Sequence, residues 1–155
     1  MTPAIRLLEL SKNAYQVHQY DHESSEHSYG LEAAEKLDVP AARIFKTLII
    51  RLNNRNLAVA VIPVAATLSM KRFARAAGAR KAGLADKSDA ERATGYILGG
   101  ISPLGQKKQL TTIVDDSAEA HPSIFVSAGR RGLEIELKPA DLVLMTRGRY
   151  ACVCQ

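Results

Sequence analysis

The chain has no tryptophan and is only 5% aromatic. That is too few rings for a broad platform on which single-stranded nucleic acid would stack. Its two cysteines, Cys152 and Cys154, stand at same-face strand spacing near the C-terminus. No second Cys/His pair completes a zinc site, so the two are expected to be structural or incidental. The histidines His18, His22, His27 and His121 match no metal-ligand spacing, and no metal or cofactor is expected. Long apolar runs are also missing. Leu57 to Ala66 spans about ten residues and is interrupted by Pro63, too short to cross a bilayer. Met1-Thr2-Pro3-Ala4-Ile5-Arg6 lacks a signal-peptide pattern. These absences predict a soluble, cytoplasmic protein with no membrane partner.

The chain has 155 residues, 46% of them hydrophobic, which suits one domain over 1–155 with a real core. The formal net charge is +5, and the basic residues cluster. Lys71, Arg72, Arg75, Arg80 and Lys81 form one group; Lys107 with Lys108, Arg130 with Arg131, and Arg147 with Arg149 form others. Such a surface favours phosphate-bearing partners.

Periodicity and turn residues predict short elements. Pro3 to Ala14 reads as a helix with proline at its start. Tyr15 to Tyr20 reads as a strand. Ser28 precedes a helix over Gly30 to Leu37, which ends before Pro40. Ile44 to Leu52 is a strand, Asn53 to Asn56 a turn, and Leu57 to Val61 the returning strand. Ser69 is placed to cap a helix over Met70 to Ala77 that Gly78 closes. Ser88-Asp89-Ala90-Glu91 reads as a capping box for a helix ending near Gly95. Tyr96 to Leu98 reads as a strand before a glycine-rich loop. Thr111 to Val114, Ser123 to Ser127 and Leu133 to Leu137 are further strands, and Pro139 to Met145 is a last helix. Hairpins alternate with short helices without a βαβ repeat. The expected fold is α+β: a mostly antiparallel mixed sheet, partly barrel-like, flanked by short helices.

Three stretches carry chemistry. In the first strand of the hairpin, alternation puts Lys46 on a face otherwise made of Ile44, Leu48, Ile50 and Leu52. An ammonium there loses hydration unless an anion or an open cleft meets it; a strand-end lysine that snorkels to water is the other reading. The second stretch is Gly99-Gly100-Ile101-Ser102-Pro103-Leu104-Gly105-Gln106-Lys107-Lys108. Its glycines allow close backbone approach, and its amides could hold a phosphate or a developing oxyanion; a plain turn is the alternative. It fails the P-loop pattern because Gln106 follows Gly105. It fails the nucleophile-elbow pattern because Leu104 stands where glycine is needed. In the third stretch, Val126 to Leu137, Glu134 and Glu136 share one strand face opposite Leu133, Ile135 and Leu137. A solvated face explains Glu136 well, and Arg130 and Arg131 either pair with phosphate or flank a turn.

Together the Lys46 strand, Gly95 to Lys108, Ser127 to Leu137 and the opening Thr2-Pro3-Ala4 with Leu7-Leu8 resemble the YbaK family of aminoacyl-tRNA deacylases. The resemblance covers nearly the whole chain. It is nearer to the free-standing members than to the editing domain inserted in prolyl-tRNA synthetases. It implies hydrolysis of cysteine mischarged onto proline tRNA, a second sieve where a hydrophobic pocket separates near-isosteres weakly. It places Lys46, Gly99, Gly100 and Ile101 in catalysis, and Tyr20, Thr47, Ser102, Pro103, Ser127 and Glu134 around the substrate. Glu134 stands where relatives often carry Asp. Lys46 would hold the phosphate or 3′ end, and the loop amides would steady the carbonyl oxygen, an effect worth about 3–4 kcal/mol per donor. The chain shows no protein nucleophile with its base. The resemblance fills that place with the substrate thiol, which attacks its own ester carbonyl. The implied partners are the acceptor end of mischarged tRNA(Pro) and prolyl-tRNA synthetase, with neither membrane nor DNA. Editing of another small amino acid such as alanine, and a non-catalytic tRNA- or synthetase-binding module, are the competing readings. A Schiff-base enzyme built on Lys46 would lack any accompanying cofactor motif.

Overall fold

The computed structural model describes residues 1–23 and 29–155, leaving aside the side chain of Tyr29. Ser28, expected as a helix cap, and His27 lie outside the described residues. Eight strands and five α-helices follow one another along the described chain. In order they are α1 (Pro3–Leu10), β1 (Tyr15–Gln19), α2 (Tyr29–Leu37), β2 (Phe45–Leu52), β3 (Asn56–Pro63), α3 (Met70–Ala76) and β4 (Ala82–Leu84). Then come α4 (Lys87–Thr94), β5 (Thr111–Asp115), β6 (Ile124–Arg130), β7 (Leu133–Leu137), α5 (Pro139–Thr146) and β8 (Arg149–Ala151).

The strands form a three-stranded sheet, β1-β7-β6, and a five-stranded sheet, β4-β2-β3-β5-β8. The smaller sheet is antiparallel throughout. The larger is mixed: β2 runs antiparallel to β3 and β4, while β3–β5 and β5–β8 are parallel. The α+β expectation holds. The barrel-like part of it resolves into two open sheets joined at one bridge, Ile44 with Phe125. Among the described residues no helix is long and apolar enough to cross a membrane.

The five-stranded sheet is buried on both faces. Phe45, Ile49, Val59, Val61 and Val114 pack against α1 and the inner residues of β6 and β7. Ile50, Leu52, Ala58, Ala60 and Ile62 pack on the opposite face against Phe73 of α3, Leu68 and Val153. This explains why β2 and β3 read as near-continuous apolar runs. A third, smaller cluster seats Ala33 and Ala34 of α2 on Ile44, Val64 and Phe125.

Several boundaries differ from expectation, each for a local reason. Helix α1 stops at Leu10 rather than Ala14, because the Ser11 hydroxyl donates to the Leu8 carbonyl at 2.8 Å and accepts from the Asn13 amide at 3.3 Å. Helix α4 starts at Lys87 with Asp86 at its N-cap, so Ser88 lies inside the helix and makes no capping box. Tyr96 to Leu98 is not a strand. Gly95 closes α4 with φ of +81°, Gly99 turns with φ of +94°, and the buried Tyr96 hydroxyl donates to the Leu104 carbonyl at 2.6 Å. The three-residue strands β4 and β8 were not expected. Strand β4 follows a turn in which the Asn53 side-chain carbonyl accepts the Arg80 and Lys81 amides.

Phe73 is fully buried and packs α3 against the sheet. Phe73→Ala should therefore lower the unfolding free energy by about 3–5 kcal/mol in a denaturant titration. A loss below about 1 kcal/mol would mean that this face is loosely packed.

Candidate active site

A cleft of about 270 Å³ opens where the two sheets meet. Four consecutive residues of β2, Phe45 to Leu48, form one side of it. Leu98, Gly99 and Ile101 form another, and Ser127, Arg130, Arg131 and Glu134 come from the β6–β7 hairpin. Tyr20, Gly30 and Val64 complete the lining. Seven of the ten residues singled out from sequence therefore converge: Tyr20, Lys46, Thr47, Gly99, Ile101, Ser127 and Glu134.

Gly100, Ser102 and Pro103 do not line this cleft. Ser102 is fully buried, and its hydroxyl accepts the Leu104 amide at 3.2 Å. Pro103 borders a separate depression with Leu7 and Met145. After Ile101 the chain dives into the core, so neighbours in sequence part company in space.

The glycine loop is a tight turn. The Gly100 amide donates to the Ile97 carbonyl at 2.9 Å, and Gly99 supplies the positive φ that such a turn needs. The Leu98 amide donates to the Glu91 carboxylate at 2.8 Å. Of the expected trio, the Gly100 amide is thus engaged within the turn, while the Gly99 and Ile101 amides have no acceptor among the described residues. A Cβ on Gly100 would stand 2.8 Å from the Arg130 Cα, where only backbone could yield.

A β-bulge shapes the facing wall. Regular pairing ends at Ser127 with Glu134 and resumes at Arg130 with Leu133. In an unbroken strand, residues 127 and 130 would face opposite ways. The bulge, with Gly129 at φ of +113°, lets both line the cleft. The Ser127 hydroxyl accepts the Gly129 amide at 3.1 Å and so braces the bulge.

The charges are unequal in their surroundings. Lys46 is half-buried and has no hydrogen-bond or ion-pair partner among the described residues. Thr47 Oγ1 is fully enclosed and likewise unpartnered. Glu134 is buried at 7% exposure, and burial pushes its carboxyl up to about 8. Burial, with the Glu134 and Glu32 carboxylates nearby, pushes the Tyr20 phenol up to about 12.

Glu136, two residues on, meets another fate. Burial favours its neutral form, but hydrogen bonds from Ser123 and His18 and the charges of His18 and Arg43 outweigh it and hold the carboxyl below its usual value. It is a structural ion-pair centre, not merely a solvated strand residue. His22 likewise bonds Glu32, at 2.6 Å. At the C-terminus Cys152 is exposed, and burial pushes the Cys154 thiol, beside Asp115, up to about 12.

Gly30 and Val64 were missed from sequence. They meet only because α2 packs on the end of β3; a Cβ on Gly30 would overlap the Val64 side chain at 2.0 Å. Their signal was the glycine at the start of an amphipathic helix.

Comparison with known proteins shows the family. The aminoacyl-tRNA editing domain family matches residues 25–144. The chain belongs to that family. As an editing domain, it is 39% identical over 150 residues to EbsC of Enterococcus faecalis, a proposed Cys-tRNA(Pro)/Cys-tRNA(Cys) deacylase, covering 97% of this chain and 91% of the relative. The editing domain also superposes on a proposed trans-editing enzyme for prolyl tRNA synthetase with a TM-score of 0.83 at 18% identity, covering 100% of this chain and 99% of the other. A structure of a hypothetical protein matches at 25% identity and a TM-score of 0.79, over 92% of each chain. These likenesses carry the fold.

Two outcomes follow from the site. Unfolded glutamate ionises near 4.3, and Glu134 in the fold near 8. Between those values the folded state binds more protons, so stability falls as pH rises through that window. The melting temperature should decline from pH 5 to 8, and Glu134→Gln should flatten the decline; identical profiles would show that the carboxyl is not desolvated. Gly100→Ala should lower the melting temperature by several degrees, at a cost of about 1–3 kcal/mol, and should slow turnover by displacing the adjoining amides. A wild-type melting curve would show that the loop does not press on the bulge.

Proposed function

We propose that this protein is a trans-editing hydrolase that clears cysteine mischarged onto proline tRNA. The observation that carries the reading is a half-buried Lys46 ammonium with no hydrogen-bond or ion-pair partner among the described residues, in the same cleft as the Gly99 and Ile101 amides, which have no acceptor there. Lys46 attracts the phosphate of the tRNA 3′ end by a charge-assisted contact. The two amides steady the ester oxygen as it gains negative charge. Tyr20, Thr47, Ser127 and Glu134 surround the aminoacyl group, and the enclosed Thr47 hydroxyl gains its missing partner from it. Membership of the editing family and the name of the 39%-identical EbsC support the substrate class.

No cleft serine among the described residues is hydrogen-bonded to a histidine or carboxylate; Ser127 is engaged by the Gly129 amide. The substrate thiol then serves as nucleophile. Its sulfur bonds to the ester carbon, the carbon–ribose oxygen bond breaks, and the thiol proton ends on the released ribose hydroxyl. A cyclic thiolactone leaves and is opened by water. Such an intramolecular step gains from proximity what the site lacks in its own nucleophile. Prolyl-tRNA synthetase, which produces the mischarged substrate, supplies tRNA recognition that the small cleft does not provide.

The test is deacylation of purified Cys-tRNA(Pro), Ala-tRNA(Pro) and Pro-tRNA(Pro), with and without prolyl-tRNA synthetase. Cysteine should be lost selectively, and Lys46→Ala should abolish the activity while the protein remains folded. Selective loss of alanine would discard the thiol mechanism. Full activity in Lys46→Ala would remove Lys46 from catalysis, and inertness toward all three substrates would leave a binding module.

A further inference from the structure

A second concavity, about 440 Å³, lies directly behind the glycine loop. It shares Leu98, Arg130 and Arg131 with the cleft. The loop itself is the partition: Gly99 faces the cleft and Gly100 faces the groove. The floor is firm, because Gly129 lies against the Tyr96 ring and Thr2, and the Thr2 hydroxyl donates to the Ala128 carbonyl.

The rim is unusual for a surface loop. Ile97 is 74% exposed and Leu98 49% exposed, on a turn that Glu91 and the Ile97–Gly100 hydrogen bond hold rigid. Burying a side chain as large as isoleucine is favourable, so leaving it in water on a rigid turn forgoes that gain. Beside this apolar ledge stand exposed Arg130 and Arg131, and Lys107, whose side chain adjoins Gly95 at the groove's edge. An apolar ledge next to cations matches an unpaired nucleotide, whose base covers the ledge while its phosphate meets the cations.

We propose that this groove binds the unpaired 3′-terminal nucleotides of the acceptor strand, with the ester lying across the glycine partition and the aminoacyl group in the cleft. This rests on the editing reading and deepens it. One rigid loop then performs two tasks. Its cleft side offers amides to the ester, and its groove side offers Ile97 and Leu98 to the bases. Positioning of the reacting bond comes from the two compartments sharing a wall.

The test uses Ile97→Ser and Lys107→Ala, which lie outside the cleft, with Arg72→Ala on the remote face of α3 as control. Binding is followed by fluorescence anisotropy of an uncharged acceptor-stem hairpin ending in CCA, and of the same hairpin lacking its last three nucleotides. Removing one base contact or one phosphate contact should weaken binding of the CCA hairpin about tenfold. It should leave the truncated hairpin and the Arg72→Ala control unchanged, and raise KM for Cys-tRNA(Pro) with kcat retained. Unchanged affinity and KM in both variants, with normal deacylation, would overturn the groove and leave the editing function standing. Weakened hairpin binding in a protein that deacylates nothing would support the groove and overturn the editing function. Equal weakening toward the intact and truncated hairpins would also overturn the groove, since the contact would then lie on the stem.

Discussion

Two stretches of backbone press against each other at the centre of this protein, and the site depends on their contact. Gly100 sits where any Cβ would strike the backbone of Arg130. That closeness fixes the glycine turn against the β6 bulge. The turn orients the neighbouring amides, and the bulge brings Ser127 and Arg130 to a common wall. Each half carries its own brace, the Ile97–Gly100 bond in the turn and the Ser127–Gly129 bond in the bulge, and their contact fixes one against the other. Pressed together, they form a corner beside the seam where the two sheets share a core and bridge at Ile44–Phe125.

Around that corner the polar groups divide by purpose. Those that serve the fold are satisfied: Glu136 by His18, Arg43 and Ser123, Glu32 by His22 and the Glu23 amide, Asp115 by Ser117 and Val153. In the cleft, among the described residues, the Thr47 hydroxyl is buried without a partner, and Lys46 and the Gly99 and Ile101 amides make no hydrogen bond to protein. Native interiors rarely leave a polar atom unpaired, and the enclosed Thr47 hydroxyl is such an exception.

Much of this was legible in the residues themselves. Strand alternation singled out Lys46, and glycine spacing located the loop, because both are local consequences of backbone geometry. Amide availability was not legible: it turns on the Ile97–Gly100 hydrogen bond, a matter of turn closure. Nor did sequence order separate Ile101 from Ser102, one in the cleft and the other in the core. Glu134 and Glu136 look identical in a strand pattern. They diverge because the first faces the cleft beside Tyr20, while the second reaches the arginine that stacks on Phe125. Strands β4 and β8 are too short to carry a periodic signal and exist only as partners of β2 and β5.

The buried carboxyl of Glu134 has one further consequence. Its folded value near 8 means that at neutral pH the empty cleft holds a proton there more often than not. A guest carrying an ammonium group favours the ionised form and drives that proton out. Capture of such a guest is therefore an exchange of one cation for another. Its measured heat will include the protonation enthalpy of whatever buffer receives the proton, and its affinity will rise with alkalinity until the carboxyl is already ionised in the empty protein.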